Sequence, residues 1–432
     1  MASYAFYGWV DWRWVLLLVA SSLVNTFAAQ VIARSPSQVT RRRALAAAIC
    51  FDLGLLGTFK YLGFFVEEVD SFLGTLGLGS PLPIVQIVLP IGISFFTFQA
   101  ISYVVDVYRG ETRATSLMDV AILQAFFPHL VAGPIVRANE LLPQLRTPRD
   151  PREVLAGPAL FLVAGGLLKK TVIADELARR VVDPVYNDPA AHSGGEILLA
   201  FYAFAAQIFC DFSGYTDMAI GLALLLGFQL PQNFNRPYMA LSLRDFWRRW
   251  HMTLSRWLRD YLYIPLGGSR KGTRKTYRNL MLTMLLGGLW HGAAWTFVIW
   301  GGIHGSALAA ERWLRSHLVG FRLPVWAAWL ITFHVVCIAW VFFRAPDLAT
   351  AFDVLRGIGL SGPSPLVTLP MVFLVVVAVA IQALPEGLWR SAEEWVVTRP
   401  VAVQGVGFGV LIVAADAAVG QQGVAPFIYF QF

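Results

Sequence analysis

Apolar windows, many close to the twenty residues needed to cross a bilayer, recur along this chain and decide what it can fold into. Trp14 to Ile32, Ala44 to Val66, Ile84 to Val107, Glu196 to Phe209 and Thr216 to Phe228 read as spans. So do Leu280 to Leu289, Ala294 to Ala310, Val325 to Phe343, Val367 to Leu384 and Val401 to Ala415. Leu117 to Val131 and Val154 to Leu168 are shorter or interrupted, and fit spans, re-entrant helices or interfacial helices. Backbone in hydrocarbon must satisfy its own hydrogen bonds, so the spans are expected to be helices, roughly nine to twelve of them in one all-α domain over residues 1–432. Only 14% of residues are charged and the mean hydropathy is +0.60, so lipid must solvate most of the surface. No cleavable signal peptide and no internal repeat are evident. Cys50, Cys210 and Cys337 each lie in an apolar run without metal-ligand spacing, and read as packing residues.

The net charge of +7 is concentrated in one stretch. Between Arg236 and Arg278 stand eleven Lys/Arg and two Asp/Glu, a local balance of +9 against −2 for the remainder. By the positive-inside rule, residues 236–278 are expected at the cytoplasmic interface, as are Arg41 to Arg43, Lys169 and Lys170. Orientation and contact with lipid phosphates would account for the basic residues by themselves. Two features suggest more. The run from Arg244 to Arg259 interleaves aromatics with guanidinium groups at helical spacing, so Trp247, Trp250 and Trp257 are expected in an interfacial belt or on a helix lying in the headgroup layer. The turn Gly267-Gly-Ser-Arg-Lys-Gly-Thr-Arg-Lys then gathers four cations. Arg248, Arg249, Arg270 and Lys271 are therefore the candidates to meet the phosphates of coenzyme A or an acidic carrier protein. Nucleic acid is not an expected partner for a basic surface joined to apolar spans.

Ionisable residues inside apolar spans are costly and mark cavities or pathways. Leu285-Leu-Gly-Gly-Leu-Trp-His-Gly-Ala-Ala-Trp-Thr-Phe places His291 among apolar neighbours, with Gly287, Gly288 and Gly292 leaving room for a backbone or a ligand. A buried neutral imidazole is a natural general base, and a packing residue is the alternative. His304, thirteen residues on, would stand roughly 20 Å away along an unbroken helix, in a supporting or structural role. His251 belongs to the basic aromatic run. His129, His192, His317 and His334 read as structural or exposed. Asp211 and Asp217 are expected to pair with arginines of the basic stretch. Nucleophile-elbow, Walker, dinucleotide and metal-site patterns are not found.

Taken together, these residues resemble the membrane-bound O-acyltransferase family, in the bacterial branch that serves O-acetylation of alginate. The motifs are Asp211-Phe-Ser-Gly-Tyr-Thr-Asp-Met-Ala-Ile-Gly, Asn233-Phe-Asn-Arg-Pro-Tyr, Asp245-Phe-Trp-Arg-Arg-Trp-His, Asp260-Tyr-Leu-Tyr-Ile-Pro-Leu-Gly-Gly and Leu289-Trp-His-Gly. The resemblance runs from about Phe6 to the last residue. Members of this branch carry a further hydrophobic segment ahead of the point matching Phe6, where this sequence starts. The resemblance implies a multi-pass protein of the plasma membrane, the inner membrane in a Gram-negative cell. Its helices would ring a thin centre pierced by a tunnel. It also implies His291 as the principal catalytic histidine and His251 as the second.

The end of the chain, residues 426–432, Pro-Phe-Ile-Tyr-Phe-Gln-Phe, is similar to a terminal aromatic-tyrosine motif of the branch. Tyr429 would carry the acyl group briefly, the alternative being an interfacial anchor. The implied donor is acetyl-CoA or a carrier-protein thioester, used as substrate, with no permanently bound cofactor and no metal. The implied partners are the acyl donor, membrane lipid and an extracytoplasmic SGNH-type acetyltransferase. The rival readings are a transporter or flippase that moves an acyl donor intact, and a scaffold for an envelope-polymer exporter.

Overall fold

A computed structural model describes residues 2–78, 88–318, 323–419 and 427–428. Among them, every regular element is helical. The chain divides into two compact units, Met1–Asp150 with Phe228–Pro231, and Pro151–Gly227 with Gln232–Phe432.

The first unit is built on α1 (Trp12–Arg34), α2 (Gln38–Thr75) and α3 (Ile93–Arg109). Asp11 and Ser37 start α1 and α2 by accepting the backbone N–H groups of Arg13 and Thr40, which the helices leave unpaired. Glycines in the left-handed region, Gly92 (φ 75°) and Gly110 (φ 78°), bound α3. Tyr7, Leu18, Leu56, Ile93, Phe96 and Leu130 form the core. Asp52 is buried in this unit and is held by hydrogen bonds from Ser21 Oγ (3.1 Å) and Asn25 Nδ2 (3.0 Å). Without such donors a buried carboxyl would be prohibitive.

The second unit begins with α4 (Ala156–Asn187) and α5 (Gly194–Leu225). Two π-helical stretches, Lys169–Ala174 and Ala178–Val182, interrupt α4. Ser193 and Glu196 form a capping box at the start of α5. The sequence suggested two spans here, Glu196 to Phe209 and Thr216 to Phe228; the structure has one helix of 32 residues, with 89% of its most apolar window buried. The polar break between them is satisfied from α4. Lys170 Nζ lies 2.8 Å from Asp211 Oδ1, and Lys169 pairs with Asp217. Both carboxylates are ion-paired as expected, but with these lysines rather than with arginines of the basic stretch. Gly166 and Gly214 let α4 and α5 cross closely, since a Cβ on Gly214 would lie 2.7 Å from the Gly166 carbonyl oxygen.

Further helices of this unit include α6 (Met252–Leu258), α7 (Thr273–His291), α8 (Trp295–His317), α9 (Val325–Arg344), α10 (Leu369–Ala380), α11 (Glu386–Val397) and α12 (Val401–Val419). Of the described helices, five are long and apolar enough to cross a membrane, or six if Leu369–Ala383 and Glu386–Val397, bent by 99°, form one span. That is fewer than the number of embedded helices read from the sequence. The difference lies in short elements such as the 17-residue α3 and in α7, whose first turn carries Arg274 and Lys275.

Helices α7 and α8 lock together backbone to backbone. A Cβ on Gly288 would lie 2.2 Å from the Phe297 carbonyl oxygen, and one on Gly301 would lie 2.3 Å from that of Met284. A Cβ on Gly302 meets nothing closer than 3.9 Å. Gly288→Ala should therefore destabilise the detergent-solubilised protein by about 1–3 kcal/mol, as overpacking does. Gly302→Ala should be near neutral. Thermal denaturation of the two variants checks the contrast, and equal behaviour would contradict this packing.

Candidate active site

The motif around His291 reverses the chain. Helix α7 ends at His291, Gly292 and Ala294 are extended, and α8 starts at Trp295. The unbroken helix assumed between His291 and His304 is thus absent. Instead α8 doubles back and both imidazoles flank the Trp300 indole, with ring centroids 5.1 Å and 4.9 Å from it. His304 is fully buried, stacked on Phe246 (6.0 Å) and edge-on to Trp247 (5.0 Å). His291 is 4% exposed and also meets Trp290 and Phe343. The glycines beside His291 admit protein rather than a ligand: Gly292 lies under the Phe297 ring, and Gly288 under its carbonyl.

His251 reaches the same cluster from a different segment. Residues 233–236 and 249–252 clasp each other through two backbone bonds, Asn235 N–H to Arg249 O (2.9 Å) and Met252 N–H to Asn233 O (2.9 Å). This clasp bends the chain so sharply that His251 takes φ 41°, an uncommon conformation for a residue other than glycine. The basic aromatic run is therefore not one continuous helix. The Asn233 side-chain oxygen accepts from Thr253 N–H (3.2 Å) and Thr253 Oγ1 (2.9 Å), and faces His251 Nδ1 at 3.1 Å. A backbone N–H can only donate, so the atom it meets on Asn233 is the oxygen, and His251 Nδ1 must carry a proton. The lone pair of the neutral ring then lies on Nε2. His251 lies outside the apolar spans, and burial pushes its pKa down to about 3, which keeps it neutral. Trp290 stands between the two histidines, 6.1 Å from His251 and 5.0 Å from His291.

Two tryptophans of the run, Trp247 and Trp250, fill this cluster instead of forming a belt at the interface. Trp250, 2% exposed, packs against Phe246, Phe234 and Trp340, while Trp247 covers Trp300 and His304, and Trp257 is 7% exposed. Their spacing suits a core as well as it suits a membrane surface. Arg249 is tied to Asp245 (3.0 Å). Arg248, Arg270 and Lys271 are exposed, the latter two on the turn before α7. A cavity of about 1140 Å³ is lined by Lys169, Phe209, Asp217, Phe234, Arg236 and Trp389, among others. Neither histidine lines it. Phe234 packs on Phe212 at 5.0 Å and Phe212 on His251 at 4.7 Å, so an aromatic layer lies between the cavity and His251.

Tyr429 lies outside the described residues. Its neighbours Phe427 and Ile428 are described, and both are buried. Phe427 packs on Phe212 (5.9 Å) and Tyr215 (4.6 Å), and the Ile428 N–H donates to Asp211 Oδ2 (2.8 Å). The structure thus gathers His251, His291 and the edge of the terminal motif around α5 and α7. Sequence reasoning missed Asn233, Trp300 and the place of His304. The Asn233-Phe-Asn-Arg-Pro motif was visible, but its pairing with His251 depends on a turn that spacing does not reveal.

The Asn233 network predicts that Asn233→Ala releases the His251 tautomer and lowers the acyl-transfer rate by roughly tenfold, the equivalent of ~1.4 kcal/mol. The protein level in membranes should be unchanged. Turnover of purified variant and parent checks this; equal rates would remove Asn233 from the mechanism.

Residues 116–346 match the model of the membrane-bound O-acyltransferase family. The chain is 44% identical over 357 residues to a probable alginate O-acetylase of Azotobacter vinelandii, covering 81% of this chain and 70% of the relative. It is 40% identical over 461 residues to a probable alginate O-acetylase of Pseudomonas putida, covering 100% and 93%. It is 40% identical over 397 residues to a peptidoglycan O-acetyltransferase of Helicobacter pylori, covering 84% and 74%. This chain belongs to the membrane-bound O-acyltransferase family and is a multi-pass membrane enzyme that transfers acyl groups to oxygen.

Proposed function

We propose that the protein takes acetyl from a cytoplasmic thioester, acetyl-CoA or an acetylated carrier protein, and delivers it for O-acetylation of an extracytoplasmic polysaccharide such as alginate. The observation that carries this reading is the pair of buried imidazoles on either side of Trp290, with the terminal aromatic motif one ring away from His251. The acetylase names of the relatives support the choice of acetyl, and those names concern alginate and peptidoglycan. The basic stretch with Arg248, Arg249, Arg270 and Lys271 supports a donor rich in phosphate or acidic groups.

In the proposed step the Tyr429 hydroxyl oxygen attacks the thioester carbonyl carbon while its proton passes to His291. The carbon–sulfur bond then breaks, and the departing thiolate takes that proton back to leave as free thiol. His251, neutral with its lone pair on Nε2, is the alternative acceptor for that same proton. General-base help of this kind is typically worth about 10² to 10⁴ in rate. A phenol ionises near pH 10, so its acetyl ester remains activated for a second transfer. An SGNH-type acetyltransferase on the far side of the membrane, the inner membrane in a Gram-negative cell, would complete that transfer. Water excluded from the site spares the thioester from hydrolysis.

His291→Ala should leave the protein in the membrane at normal levels and abolish acetylation of the envelope polysaccharide, read as its O-acetyl content. Persisting acetylation would contradict the role of His291. Tyr429→Phe keeps the ring and removes only the hydroxyl. Loss of acetylation in this variant marks a relay, and normal acetylation marks an anchor.

A further inference from the structure

Lys170, Asp175 and Asp211 form a buried charge cluster that the chemistry above does not use. Lys170 Nζ stands 2.8 Å from Asp175 Oδ1 and 2.8 Å from Asp211 Oδ1, and all three side chains are almost wholly shielded. Lys170 meets Asp211 at Oδ1, and a carboxylate accepts at both of its oxygens, so Oδ2 can hold a further donor. The Ile428 N–H is such a donor, and it meets the second oxygen of Asp211 at 2.8 Å. Next to this bond, Phe427 sits against Phe212 and Tyr215, one and four residues after Asp211 on α5. The end of α12 is tied to the same helix pair: Arg179 Nη1, on α4, donates to Val419 O at 3.5 Å. A backbone donor fixes position without regard to side-chain identity, and an ionised acceptor makes the bond strong.

We infer that the Lys170–Asp175–Asp211 cluster is a docking site for the chain's own C-terminal segment, and that Asp211 is a positioning residue which sets where residue 429 stands. The inference rests on the relay reading of Tyr429 only for its consequence in catalysis; the docking itself stands on the contacts of residues 427 and 428.

Two measurements on the full-length protein in membranes test it. The first is maleimide labelling of a cysteine placed by Ile428→Cys in a Cys50→Ala background. Labelling is expected to be slow, and at least tenfold faster once Asp211→Asn is added. The second compares Ile428→Pro, which deletes the N–H donor, with Ile428→Val, which keeps it. Both alter only the tail and leave Lys170, Asp175 and Asp211 themselves in place. Acetylation should fall at least tenfold in the proline variant and persist in the valine variant. Unchanged labelling with Asp211→Asn overturns the docking site, and equal acetylation in the proline and valine variants overturns the role of Asp211 in setting where residue 429 stands. If Tyr429→Phe still acetylates while Asp211→Asn speeds labelling, the docking stands and the relay falls. If Tyr429→Phe is inactive and labelling is indifferent to Asp211, the relay stands and the docking falls.

Discussion

A bilayer offers no water to a stranded polar group, and the structure depends on how each one is answered from within the protein. Asp211 and Asp217 can interrupt the most buried helix because α4 brings Lys170 and Lys169 to them. Asp52 is held by Ser21 and Asn25. Arg344, at the end of α9, meets Asp183 at 2.6 Å. Such pairs contribute little net stability against a well-packed apolar alternative, but losing one partner leaves a buried charge. They therefore fix which helices meet and at what height.

The same constraint shapes the histidine cluster. Three imidazoles, His251, His291 and His304, enter one aromatic core from three segments, each packed against neighbouring rings. Burial disfavours a protonated His251, so that ring stays in the state that accepts a proton. The tautomer of His251 is assigned by a hydrogen-bond network, through Asn233 and Thr253. The strained turn that makes this possible exists because two short segments clasp each other.

Much of this was legible from the residues. The first span, read as Trp14 to Ile32, is the helix Trp12–Arg34, because its apolar run is long and Asp11 caps it. His291 and His251 were visible through their motifs, and the resemblance to the family agrees with the comparisons. What failed were inferences that assumed continuity or a single cause. His304 was separated from His291 by an imagined straight helix, when the extended Gly292 and Ala294 fold α8 back. Trp247 and Trp250 were placed at a lipid surface because aromatic and basic residues alternate, yet their rings build the core. Asp211 and Asp217 were rightly read as ion-paired, but local sequence could not say that the partners come from more than forty residues earlier.

The central claim is that a buried histidine pair loads acetyl onto the end of this same chain. Mass spectrometry of the C-terminal peptide, after the purified protein is mixed with an acetyl thioester and quenched, tests it most directly. The account predicts an acetyl group on Tyr429 that is absent when His291 is replaced. Efficient transfer of acetyl to acceptor with Tyr429 never modified, or the same adduct formed without the imidazole, would contradict it.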